Sequence, residues 1–106
     1  MKKILVLMLL ISSTSVFAVV WSGNDLVKWF KDEGYAGMRE TYVAGVVDTV
    51  SYTDSYNKDI CIPIGTTTTQ IAQLTYNYMQ KHPENWTAQG AYFVTFALYE
   101  AYPCKK

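Results

Sequence analysis

Two cysteines, Cys61 and Cys104, are the only ones in the chain, and between them lie two segments that read as helices. If they pair, they clamp the end of the last helix to the start of the helix before it. The rest of a small chain then has to pack around that clamp. Whether they pair depends on the compartment. Met1-Lys2-Lys3 is a short basic stretch, Ile4 to Ile11 is continuously apolar, and Ser12 to Ser15 is small and polar. Val16-Phe17-Ala18 then places small residues where signal peptidase needs them, so residues 1–18 read as a signal peptide cleaved after Ala18. The apolar run is too short to remain as a span of a bilayer about 30 Å thick, so no membrane association is expected after cleavage.

Export carries the cysteines into an oxidising compartment, the periplasm for a bacterial-looking leader such as this one, where a lone pair reads as a disulfide. It closes a loop of about 43 residues, which contributes roughly 4 kcal/mol in the chain-entropy picture. That is a large share of the roughly 5–15 kcal/mol that stabilises a typical domain. Two cysteines and the single distant His82 do not make a zinc ligand set.

What remains, residues 19–106, is enough for one small domain. Without Lys2 and Lys3 the nine basic residues fall to seven against nine acids, a net charge of −2. That balance argues against nucleic acid, which requires a basic face.

Four helices account for nearly all of this domain. Ser22-Gly23-Asn24-Asp25 is rich in N-cap residues, and Leu26, Trp29 and Phe30 follow at helical spacing until Gly34. Gly37 allows a tight turn into a second helix from about Met38 to Val50, with Met38, Tyr42, Val43, Val46, Val47 and Val50 as its apolar face. Gly45 costs about 1 kcal/mol in a helix interior, and close approach of a neighbouring backbone is the expected reason for it. Ser51 to Ile60 reads as a loop.

Thr67 and Gln70 make a capping box for a third helix, with Ile71, Leu74 and Tyr78 on one side beside Ala72 and Met79. His82-Pro83 ends it, because the residue before proline disfavours the helical region. Glu84-Asn85-Trp86 is a short connector, and Thr87 is the expected cap of the fourth helix. From Ala88 to Tyr102 that helix is apolar on nearly every side, broken only by Gln89, Thr95 and Glu100. Such a helix must be covered all round, so a second subunit is expected. The fold class is therefore all-α: a small four-helix domain stapled by one disulfide, and a dimer.

Catalytic chemistry is hard to place on this sequence. His82 sits at a helix C-terminus, where the dipole favours an imidazole, and Pro83 follows it. Ser22, Ser51 and Ser55 have no base beside them, and paired cysteines are not nucleophiles. Asp54, Asn57 and Asp59 cluster in the loop but lack the glycine and closing Glu of a calcium-binding loop. No catalytic, cofactor or metal residue is assigned. Asn85-Trp86-Thr87 fits a glycosylation sequon, which has no bearing behind a bacterial leader. Trp86 has no periodic partner. It is either an exposed anchor for an interface or an aromatic folded back over the helix ends.

Several motifs occur together and in order. Cys61-Ile62-Pro63-Ile64-Gly65 precedes a Thr-rich cap; His82-Pro83-Glu84 follows, and then Leu98, Ala101 and Tyr102-Pro103-Cys104. With Ser22-Gly23-Asn24-Asp25-Leu26 and Tyr42-Val43-Ala44-Gly45 they resemble the Tai family, periplasmic immunity proteins against type VI secretion peptidoglycan amidases. The resemblance implies a non-enzymatic homodimer with one disulfide that plugs the active-site cleft of an amidase. It also implies that the connector before the last helix faces the amidase: Lys81, His82, Pro83, Glu84, Asn85 and Trp86, with specificity in Asn85 and Trp86. The loop with Tyr52, Asp54, Tyr56, Asn57 and Asp59 is a second candidate surface. The alternative is a small periplasmic acid-stress chaperone of the helical dimer type. Such a switch needs carboxylates at the dimer contact, and the fourth helix offers only Glu100.

Overall fold

The structure, a computed structural model, describes residues 20–53 and 58–105. The predicted signal peptide, and Asp54, Tyr56 and Asn57 of the second candidate surface, lie outside the described residues. Four α-helices make up the domain: α1 (Gly23–Lys31), α2 (Ala36–Tyr52), α3 (Thr68–Lys81) and α4 (Gly90–Ala101). Short 3-10 turns, Glu33–Tyr35 and Pro83–Asn85, join α1 to α2 and lead from α3 towards α4. The expected all-α fold with one disulfide is what forms, and Cys61 is bonded to Cys104.

Local chemistry sets most of the helix starts. Ser22 caps α1: its side chain accepts from the Asp25 N–H, and the Asp25 carboxylate accepts from the Ser22 N–H at 2.9 Å. Thr67 and Gln70 form the capping box expected of them at the start of α3, satisfying two donors that the helix itself leaves orphaned. Between α1 and α2 the outcome differs from the expectation. Helix α1 stops at Lys31, because the Asp32 carboxylate accepts from the Gly34 N–H at 2.9 Å and closes a separate turn. Gly37 lies inside α2 rather than in a turn, and α2 continues to Tyr52.

The start of α4 is the larger correction. Thr87 does not cap it; the helix begins at Gly90 after Gln89, whose side chain makes no capping bond. The segment before α1 takes over that role. The Gly90 N–H donates to the Trp21 carbonyl at 2.6 Å, and Ser22 pairs with Gln89 in an antiparallel bridge. A main-chain acceptor there makes a side-chain cap unnecessary.

Two apolar clusters fill the interior. One holds Val43, Val50, Ile60, Ile71, Ala72, Val94 and Leu98 and lies at the disulfide end. The other holds Leu26, Val27, Trp29, Met79 and Phe93. Phe30 and Tyr42 pack against both and join them. Thr75 is buried within α3 and donates to the Ile71 carbonyl at 2.9 Å, so no polar group is stranded there.

Two sequence readings of α2 need revision. Met38 is exposed rather than part of the apolar face, and the helix begins at Ala36, ahead of the expected start at Met38. Gly45 does not admit a neighbouring backbone: nothing lies within 4 Å of where its Cβ would stand. It lines an apolar surface groove of about 360 Å³ with Thr41, Thr49, Ala91 and Thr95. Helix α4 buries Phe93, Val94, Ala97 and Leu98 and leaves Phe96 and Tyr99 exposed, the aromatic side for which a second subunit is expected. Among the described residues no helix is long and apolar enough to cross a membrane.

Candidate partner-binding surface

The connector from Lys81 to Trp86 is an ordered turn. His82 closes α3 by donating its N–H to the Met79 carbonyl at 3.1 Å. Pro83 then opens the 3-10 turn, where its fixed φ suits the first helical position and its missing N–H leaves no donor unsatisfied. The Asn85 N–H donates to the His82 carbonyl at 3.1 Å, Trp86 to Pro83 at 3.3 Å and Ala88 to Asn85 at 2.8 Å. Four backbone donors, those of His82, Asn85, Trp86 and Ala88, are thus used locally and order the turn.

Trp86 is held from two sides. Its indole Nε1–H donates to the Met79 carbonyl at 2.8 Å, and the ring packs against the cluster built on Leu26, Met79 and Phe93. Its own carbonyl accepts from the Asn24 N–H at 2.8 Å. Of the two readings of this residue, the structure shows the second: the ring folds back over the helix ends. Asn85 is half-buried beside it.

The residues that face outward are Lys81, Pro83 and Glu84. The Lys81 ammonium lies 3.6 Å from the Glu100 carboxylate of α4, and His82 Nδ1 lies 3.5 Å from Glu84. The His82 ring stacks on Tyr78, with centroids 4.4 Å apart. Burial raises the pKa of the Tyr78 phenol above its ordinary value, reinforced by the neighbouring Tyr92 and by the carboxylates of Glu100 and Glu84. Lys81, Glu100, Tyr78 and Asn77 also line a groove of about 260 Å³ between α3 and α4 that continues from the connector.

A strap formed by residues 21–24 holds this arrangement from behind. Besides the Gly90 and Asn24 bonds, the Gly23 N–H donates to the Ala88 carbonyl at 2.8 Å. The approach is so close that a Cβ on Gly23 would stand 2.5 Å from Phe93 Cε2 and 2.8 Å from the Trp86 carbonyl oxygen. One on Gly90 would stand 2.7 Å from the Leu26 Cδ1 and from the Tyr42 hydroxyl. The sequence reading missed the strap, since main-chain bonds between distant residues leave no periodic signal. The two glycines at the crossing points are the trace it leaves.

Of the second candidate surface, Tyr52 is almost fully exposed at the end of α2. Asp59 is half-buried, and its carbonyl accepts from the Cys104 N–H at 3.2 Å. The two described residues therefore do different things: one presents a ring to solvent, the other supports the disulfide. Among the described residues no three His, Cys, Asp or Glu side chains converge to hold a metal ion.

A family model described as Rap1a immunity proteins matches residues 22–104, from the cap of α1 to the second cysteine. The chain belongs to that family. The match begins at the strap and ends at the staple, so it spans the whole described domain rather than one motif. Membership in the Rap1a immunity family implies an inhibitor that binds a cognate toxin, in line with the immunity function that the motifs led us to expect. No curated protein and no solved structure matches the chain.

Proposed function

We propose that this Rap1a family member is a periplasmic immunity protein. In this reading it binds a type VI secretion peptidoglycan amidase and occludes its active site, protecting the cell that makes it. The observation that carries the reading is the combination of family and geometry: an immunity fold presents a short turn ordered by local main-chain hydrogen bonds, between two helices tied at both ends. An inhibitor that enters a cleft gains from such pre-ordering, because little conformational freedom is lost on binding. The leader would deliver the chain to the periplasm, where such an amidase acts and where the disulfide can form. The exposed Phe96 and Tyr99 of α4 are where a second copy of the chain would pack in a homodimer.

The test is a rescue. An amidase encoded beside this chain, directed to the periplasm, should lyse cells, and co-expression of the full chain should restore growth. The same chain without residues 1–18 should not. If the purified protein fails to bind that amidase and lysis proceeds in its presence, the proposal is wrong. The acid-stress chaperone alternative has no observation in its favour, and membership in an immunity family speaks against it.

A further inference from the structure

We infer that Trp21 is a positioning residue: its ring latches the strap onto Trp29, and through the strap it sets the pose of the connector. The latch consists of contacts within the chain. Its effect on binding rests on the reading of the connector as the surface that meets the amidase.

The first residue of α4 needs an acceptor for its N–H, and Gln89 beside it supplies no side-chain cap. The Trp21 carbonyl supplies one, 2.6 Å from the Gly90 nitrogen. Where that carbonyl stands depends on what holds Trp21. Val20 before it is 59% exposed, so the tie begins at the indole. The Trp21 ring meets Trp29 edge-on with centroids 5.1 Å apart, a geometry that aromatic pairs favour.

Trp29 is a fixed platform for that contact. It is buried, its ring packs edge-on against Tyr42 at 5.7 Å, and its carbonyl accepts from Arg39 Nη1 at 3.1 Å. Arg39 is held in turn by its ion pair with Glu33 at 3.3 Å. Next along the strap, the Gly23 and Asn24 N–H groups donate to the Ala88 and Trp86 carbonyls. The ring contact thus stands at the free end of a segment that makes three main-chain bonds around the connector.

That position gives the latch its role. Terminal residues of a domain are poorly ordered unless something ties them down. Cleavage after Ala18 would leave Trp21 as the third residue of the mature chain. With the latch open, Gly90 loses its acceptor and the connector samples other poses. With it closed, the turn is ready to bind. Only the latched fraction binds, so loss of the latch slows association rather than speeding release. Trp21 also lies one residue ahead of the stretch that the family model matches, so the latch adds to what that match covers.

The mature chain would be studied as Trp21→Ala and Trp21→Phe. Ile71→Val is the control, since it removes a methyl group from the disulfide-end cluster. Amide exchange needs no partner. In Trp21→Ala, exchange at Gly90 should rise about fivefold or more, the effect of losing one hydrogen bond. It should rise by less at Asn85, Trp86 and Ala88, and not at Cys61 or Tyr102. Against the purified amidase encoded beside the gene, association should slow about threefold or more, with parent-like release. Trp21→Phe keeps a ring against Trp29 and should recover most of both. Ile71→Val should lower thermal stability and change neither.

Parent-like exchange at Gly90 in Trp21→Ala would overturn the latch. Faster release with unchanged association would also overturn it, because Trp21 would then touch the amidase itself. An equal slowing of association in Ile71→Val would reduce Trp21 to a contributor to general stability and sink the positioning role. If the parent chain fails to bind, the amidase reading falls, and the exchange measurements still decide the latch.

Discussion

Helix α4 is tied to the rest of the chain at both ends, and each tie includes an isolated antiparallel bridge: Ser22 with Gln89 at its start, Ile60 with Pro103 beyond its end. At the far end the Cys61 N–H donates to the Tyr102 carbonyl, and the disulfide then makes the contact covalent. At the near end there is no covalent bond, only three main-chain hydrogen bonds from the strap and the close packing allowed by Gly23 and Gly90. The two ties therefore stabilise by different routes. The disulfide acts mainly on the unfolded chain, by removing conformations it would otherwise explore. The strap acts only while folded, and each bond contributes about 1 kcal/mol net. The connector sits at the non-covalent end. Its pose is set by the strap at the start of α1, and it can loosen locally while the staple holds.

The largest effect that would test this contrast is removal of the staple. The Cys61→Ser, Cys104→Ser double variant should lose about 4 kcal/mol, from a closed loop of 43 residues. In calorimetry that corresponds to a fall in Tm of roughly 16–30 °C for a domain of this size. Below the new midpoint, amide exchange should rise first around Ile60 and Tyr102 and last around Trp86. Equal loss of protection at both ends would mean that the ties are not separable.

At the other end, Gly23→Ala should destabilise by about 1–3 kcal/mol through overpacking, since its Cβ would meet the Phe93 ring and the Trp86 carbonyl. The disruption should appear as faster exchange at Asn24, Ala88 and Gly90, with residues 60–62 unchanged. A variant as stable as the parent would show that the strap can shift aside freely, and the contrast between the ends would lose half its basis.

These two ends also differ in how legible they were. The staple could be read from the sequence because cysteine chemistry is specific: two thiols behind a stretch that reads as an export leader leave few alternatives. Thr67 and Gln70 were legible for the same reason, a short-range pattern with one geometric meaning. Thr87 was misread as the cap of α4, because a Thr before an apolar run is a sound local signal that a distant carbonyl, that of Trp21, overrode. Trp86 remained ambiguous for a related reason. Whether a loop indole faces out or in depends on an acceptor, here Met79, whose position only the folded chain defines. Gly45 misled differently: a glycine inside a helix usually signals close packing, and here its surroundings are open.

Gly45 offers a test at a position that belongs to neither tie. In the monomer, Gly45→Ala should stabilise by about 1 kcal/mol, the helix propensity gained with nothing to clash against. The measurement is the denaturant midpoint at low protein concentration, where only the monomer's packing counts. If the variant is instead less stable, and more so as protein concentration rises, then the groove between α2 and α4 is covered by a second chain. In that case Gly45 is a close-packing glycine after all, with the partner backbone supplied in trans.

The smallest effect concerns alkaline pH, and it falls on one end only. The Tyr42 hydroxyl packs beside Gly90, and Tyr78 stacks on His82 of the connector. Burial raises both phenol pKa values above 10.0; for Tyr42 a hydrogen bond to the Ala91 backbone partly offsets it, and for Tyr78 nearby Tyr92, Glu100 and Glu84 add to it. A raised pKa means that the folded chain holds the proton more tightly than the unfolded one. The resulting stabilisation is complete below the unfolded value near 10, and it is lost as pH climbs through the folded values. Stability should therefore decline above about pH 10, and the decline should be shallower in Tyr42→Phe and Tyr78→Phe than in the parent. Amide exchange in this range should rise at Ala88 and Gly90 before it rises at Tyr102. An alkaline loss that begins at the stapled end, or one that the two phenylalanine variants leave unaltered, would place the weak point of the fold somewhere other than at the strap.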